Sequence, residues 1–123
     1  MLNIFQNAFE MMSNKKVPES VARLTEEFVN QISELYGDRL NKVILYGSYA
    51  RGDQREDSDV DYLVVLNDKE IKTLREISFI SPITSLLGLK YGVWVSAIPF
   101  TTNKLSLGET PLVFNVNHEG IVL

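Results

Sequence analysis

The chain contains no cysteine. That removes disulfides, thiolate metal sites and thiol nucleophiles, and it fits a reducing compartment. A single histidine, His118, excludes a multi-histidine zinc site built on one chain. Long apolar runs are also missing: no stretch reaches the roughly 18 consecutive apolar residues that a bilayer-spanning helix needs. The opening MLNIFQNAFEMM has no basic residues ahead of its apolar ones and carries Glu10, unlike a signal peptide. The expectation is a cytoplasmic protein with no membrane segment. Positive charge is scarce, with 12 Lys+Arg against 16 Asp+Glu and a net charge of -4, which argues against a nucleic-acid-coating surface. Internal repeats and low-complexity segments are absent.

What is present is an ordinary globular balance, 45% hydrophobic and 23% charged over 123 residues, enough for one compact domain spanning residues 1–123. Phe5, Phe9 and Met12 recur at helical spacing and predict a short amphipathic segment. That segment either closes the core or makes an oligomer surface. Pro18 suits the first turn of a helix carrying Val21, Leu24, Phe28, Ile32 and Leu35, with Gly37 as its stop, over about residues 18–36. Val43-Ile44-Leu45-Tyr46 and Val60 to Leu66 read as buried strands, separated by a charged loop from Arg51 to Asp57. Asn67 or Asp68 is the expected cap of a helix carrying Ile71, Leu74 and Ile77, with a kink or restart at Ser81-Pro82 and an end near Gly88 or Gly92. Val93 to Ile98 is a third strand, stopped by Pro99. Thr110-Pro111 opens a last helix that Gly120 ends, before a final strand at Ile121-Val122-Leu123. This order predicts an α/β or α+β fold, a small mixed sheet covered by helices.

The chemistry is concentrated in LYGSYARGDQREDSDVDYLVV, from Leu45 to Val65. Strand side chains alternate, so Asp59 and Asp61 share one face and Val60 and Tyr62 the other. Two adjacent carboxylates repel unless a cation sits between them, and hard oxygen ligands suit Mg²⁺ or Mn²⁺, which also take phosphates as ligands. Gly47-Ser48, at a strand-to-helix turn, lets backbone approach a phosphate and adds a hydroxyl donor, with Arg51 three residues on as a further phosphate contact. A Gly-Ser turn or an Asp pair alone is ordinary turn chemistry. Together, with ten residues between Ser48 and Asp59 and apolar strands on each outer side, they are the equipment of phosphoryl or nucleotidyl transfer.

These residues resemble the DNA polymerase beta-type nucleotidyltransferase superfamily: Gly-Ser, a spacer of about ten residues, then acid-apolar-acid and an apolar strand. Leu45 to Gly52 is most similar to the minimal nucleotidyltransferase branch, and the close match spans Val43 to Val65. The resemblance implies a mixed sheet with helices mostly on one face, ATP or another NTP as donor, two divalent metals, and transfer of a nucleoside monophosphate, AMP for ATP, to a hydroxyl. It implies Gly47 and Ser48 at the phosphate, and Asp59 and Asp61 as catalytic, metal-holding carboxylates. It further implies an antitoxin role beside a small helical HEPN-domain protein, some family members transferring AMP to a tyrosine of that partner. One departure stands out. The family adds a third carboxylate on a later strand, and Tyr91 to Phe100 contains no acid. Ser96 best matches the missing position, with Trp94 the other register; Glu109, Glu119 or a partner chain could supply an acid instead. The departure motivates an alternative, a catalytically degenerate protein-binding module. A third reading, modification of a small molecule, needs an acceptor pocket at an oligomer interface.

Of the remaining candidates, His118 reads as structural, Trp94 and Phe100 as core or core edge, and Tyr49 as packing rather than base stacking.

Overall fold

The computed structural model describes residues 17–108 and 110–123. The N-terminal amphipathic segment and Glu109 lie outside the described residues. The first helix among the described residues, α1, runs over Glu19–Tyr36 and buries Val21, Leu24, Phe28 and Ile32 of the stripe that the three- and four-residue spacing predicts, while its last member, Leu35, is 40% exposed. A single 3₁₀ turn, Gly37–Arg39, leads into β1, Leu40–Tyr46. A short helix, α2, Ser48–Arg51, and an irregular loop precede β2, Val60–Leu66. Helix α3, Thr73–Tyr91, crosses over to β3, Val95–Thr101. Then come α4, Thr102–Leu107, α5, Pro111–Glu119, and β4, Ile121–Val122.

The sheet has strand order β3-β2-β1-β4. Its β1 pairs antiparallel with β2 and β4, while β2 and β3 are parallel. A parallel pair needs a long crossover, and α3 supplies it. The fold is therefore the expected mixed sheet, with the two long helices on one face. There Val43, Leu45, Val60, Tyr62, Val64 and Leu66 meet α1 and α3, and Phe28 stacks on Tyr62 at 4.2 Å between ring centroids. The opposite face is covered only in part: Ile44, Leu63, Val65 and Phe100 pack under α4 and α5 through Leu105, Val113 and Val116. Short cover on that face leaves its β1–β2 end open, which is where the polar residues collect.

Four local expectations are corrected. Asn67 and Asp68 do not cap α3, because their side chains close the far end of the β1–β2 pair: Asp68 accepts from Arg39, and Asn67 bonds Asn41 and the Asp38 carbonyl. The helix starts instead at Thr73, leaving Leu74 exposed. Pro82 neither ends nor restarts α3. It faces solvent, as does Ser78, to whose carbonyl a proline can offer no N–H, while Ile80 and Leu87 anchor both halves to the core. Pro99 sits within β3 opposite Val64, a place open to proline because β3 is an edge strand. Helix α4 was not anticipated; its signal is Thr101, whose side chain accepts from the Lys104 backbone N–H at 3.1 Å.

Candidate active site

The site forms where β1 ends and β2 begins. Gly47 follows β1 with φ 77°, a left-handed backbone that favours glycine. A side chain there would also crowd the site: a Cβ built on Gly47 would lie 2.5 Å from the Asp61 Oδ2, so the carboxylate would have to shift. The bend thus brings bare backbone against a carboxylate, and Ser48 opens α2 directly after it. The Gly47 carbonyl accepts from the backbone N–H groups of Ala50 and Arg51, and the Ser48 carbonyl from those of Gly52 and Asp53, which holds the turn.

Asp61 pairs with Tyr46 across the antiparallel ladder, and Asp59 lies just before β2, exposed. Asp61 is half-buried, and its carboxyl is pushed up to about 6, first by burial and then by the charge of Asp59, with Arg51 working against both. The two acids therefore feel one another, as their alternation predicts. The Tyr46 phenol is pushed up to about 12 by burial, with the Asp61 charge adding to it. A carboxylate that is disfavoured by burial and by a like neighbour is a group that gains from a cation. The donor set is two carboxylates: among the described residues no group of three or more His, Cys, Asp or Glu could hold a metal ion. These residues fit a hard divalent cation that takes its remaining ligands from water or phosphate.

Arg51 ends α2 with its guanidinium held from two sides. Nε donates to Asp53 at 3.1 Å and Nη1 to Glu119 of α5 at 3.1 Å. Glu119 is thereby committed to an arginine rather than to the two aspartates. On the third strand, Ser96 is the β3 residue opposite Asp61 in the parallel register, and Ala97, Ile98 and Pro99 continue it opposite Tyr62, Leu63 and Val64. The position next to Asp61 is thus a hydroxyl.

The weighed aromatic residues divide. Phe100 is buried, and Tyr49 packs into the helix-side core rather than facing the bend. His118 is exposed, with Nδ1 on the Phe114 carbonyl and its ring stacked on Phe114, a structural arrangement. Trp94 is the exception. It was expected in the core or at its edge, yet it is 79% exposed. It precedes β3, and its carbonyl accepts from the Val60 N–H at 2.9 Å.

Residues 25–121 match the family model described as "Nucleotidyltransferase domain", and the chain belongs to that family. Among relatives, it is 45% identical over 78 residues to a Methanocaldococcus jannaschii protein named "Putative protein adenylyltransferase MJ0141", covering 63% of this chain and 77% of that one. A second protein from the same organism, named "Putative protein adenylyltransferase MJ0604", is 41% identical over 73 residues, 59% of this chain and 66% of its own length. Among solved structures, a nucleotidyltransferase-type protein from Sulfolobus solfataricus superposes with a TM-score of 0.61 at 20% identity, over 94% of this chain and 84% of that one. A toxin–antitoxin crystal structure with AMP-PNP gives 0.54 at 20% identity, over 77% and 68%. The structural likenesses establish the fold. No helix among the described residues is long and apolar enough to cross a membrane.

The close approach of Gly47 to Asp61 sets a first prediction. Gly47→Ala adds both a strained φ and an overlap with the carboxylate. If the site takes Mg²⁺-ATP, as proposed below, the substitution should weaken that binding at least about tenfold, read by titration calorimetry. Binding equal to wild type would show that the bend does not shape the site.

Proposed function

We propose that this chain transfers AMP from ATP to a hydroxyl of a protein partner, as the antitoxin of a HEPN-domain toxin. The observation that carries this reading is the half-buried Asp61 beside Asp59, with the Gly47 bend against its carboxylate. Asp59 and Asp61 would hold Mg²⁺, or Mn²⁺ in its place. When bound, the metal supplies Lewis-acid neutralisation of the triphosphate and of the attacking oxygen. Gly47 admits a phosphate close to the backbone, Ser48 offers a hydroxyl hydrogen bond, and Arg51 offers a charged one. Together these groups fix the α-phosphorus beside the two carboxylates, so that catalysis is mostly positioning and charge neutralisation. The relatives named as protein adenylyltransferases support a protein acceptor, and the toxin–antitoxin structure with AMP-PNP suggests the kind of partner. The setting is cytoplasmic, with ATP and Mg²⁺ at hand.

The test is transfer of label from ATP carrying it on the α-phosphate, with Mg²⁺ and a candidate HEPN-domain partner protein. Label should appear on the partner, and Asp59→Ala should cut its rate by at least about a hundredfold. Undiminished transfer by Asp59→Ala would overturn the mechanism. A second reading, a degenerate partner-binding module, draws on one observation: Ser96, not an acid, stands beside Asp61. It expects a partner complex in gel filtration that survives Asp59→Ala and needs no ATP, with no label transferred.

A further inference from the structure

We infer that Glu119 is a positioning residue for nucleotide binding, holding the Arg51 guanidinium beside the Gly47-Ser48 bend. The inference rests on the proposed nucleotidyl transfer and assigns the C-terminal helix a part in it. Glu119 is the last residue of α5, 68 positions beyond Arg51 in sequence, so only tertiary structure brings them together. That structure is tightly fixed. Gly120 follows at a point where a Cβ would lie 2.6 Å from the Ile44 Cγ2 of β1. From there β4 pairs with β1, Ile121 opposite Leu45 and Val122 opposite Ile44, and the Leu123 N–H bonds the Val43 carbonyl at 2.9 Å. Val116, one helical turn before Gly120, is buried under the same sheet face. Glu119 is therefore delivered to the end of β1 by packing, not by its own ion pair.

Its carboxylate takes Arg51 Nη1 while Asp53 takes Nε. Two acceptors at different edges of a planar guanidinium fix both its place and its tilt. Nη2 meets no acceptor among the described residues and stays available for a phosphate oxygen. The charge of Arg51 already reaches Asp61, where it opposes the upward shift. Charge alone argues the other way: Asp53 and Glu119 outweigh one arginine, so Glu119 does not help by attracting an anion. What it supplies is a pre-oriented fork in place of a long side chain free among rotamers. Position and charge thus make opposite predictions, and the experiment separates them.

The measurement is calorimetric titration of the full chain with ATP in excess Mg²⁺, with thermal melts alongside. Glu119→Ala should weaken binding about fivefold, and Glu119→Gln, equally uncharged but keeping an acceptor oxygen, should recover most of that loss. In an Arg51→Ala background, Glu119→Ala should change binding less than twofold. Tighter binding in both Glu119 variants would show that Glu119 competes for Arg51, and would overturn the inference. So would an unchanged affinity in Glu119→Ala, or a loss that persists without Arg51. If wild type binds Mg²⁺-ATP and Asp59→Ala does not, failure of the Glu119 variants sinks this inference alone. No saturable binding by wild type would sink the nucleotidyl-transfer reading together with it.

Discussion

Asp61→Asn should yield a protein that folds more stably at neutral pH and loses nearly all of its proposed AMP transfer. The stability half follows from the site's electrostatics. The Asp61 carboxyl is raised from 3.8 to about 6 in the folded protein by burial and by Asp59. A raised folded-state value means the native protein binds the proton more tightly than the unfolded chain does. Its stabilising effect is therefore complete below the unfolded value and is lost as pH climbs through about 6. At pH 7 and above the ionised carboxylate is a cost. At about 1.4 kcal/mol per unit the whole shift would amount to about 3 kcal/mol. Solvent at a half-buried position screens this to about 1–2 kcal/mol. Asparagine keeps the shape and removes the charge. Denaturant titrations should show Asp61→Asn the more stable at pH 7.5, with the gap closing toward pH 4. Mg²⁺ should narrow the gap as well, by stabilising wild type but not the variant. The activity half is a fall of at least about a thousandfold in label transfer, since a neutral amide is a poor ligand for a hard dication. A variant that is less stable than wild type at neutral pH, or one that still transfers, would refute the assignment of Asp61.

How much of this was readable beforehand depended on the range of the forces involved. The α1 stripe of Val21, Leu24, Phe28 and Ile32 is buried as its spacing demands, because one helix face against one sheet face is a local periodic problem. Gly47 and the Asp59-Asp61 alternation were equally local, so the core of the candidate site could be named from residue order. Residue order alone offers Glu119 only as a spare acid. Its partnership with Arg51 depends on β4 returning to β1, and no pattern in nine residues of α5 encodes that. Trp94 was misplaced for a related reason. A large aromatic beside a strand is normally core, but β3 is an edge strand and Trp94 falls in the approach to it, outside both packed faces. Asn67 and Asp68 carry a capping preference that tertiary partners, Arg39 and Asn41, outbid. Pro99 stands inside β3 because the rule that makes proline a strand stop holds for central strands and fails at edges.

Ser96→Asp should raise the rate of AMP transfer at saturating Mg²⁺ by about 10²–10⁴. The argument starts from register. In the parallel β2–β3 pair, Asp61 and Ser96 are direct partners, so their side chains leave the same face about 5 Å apart. On the proposed reading, with two magnesium ions as the family resemblance implies, two carboxylates would leave two positive charges for the triphosphate to balance, and an ion serving the acceptor hydroxyl would be the less well held. A third carboxylate at Ser96 would share that ion with Asp61 and lower the barrier by a few kcal/mol. The cost appears without metal. A new anion next to Asp61 should push that carboxyl further up and lower the melting temperature of the metal-free protein. A variant that is destabilised without Mg²⁺, restored by it and faster in transfer would show that hydroxyl activation limits the wild-type chain. If wild type transfers nothing and Ser96→Asp transfers measurably, the native chain is the partner-binding module and its catalytic loss lies at one position. If both transfer at the same rate, the acceptor hydroxyl is activated by another group, and the serine beside Asp61 is not the limiting feature of the site.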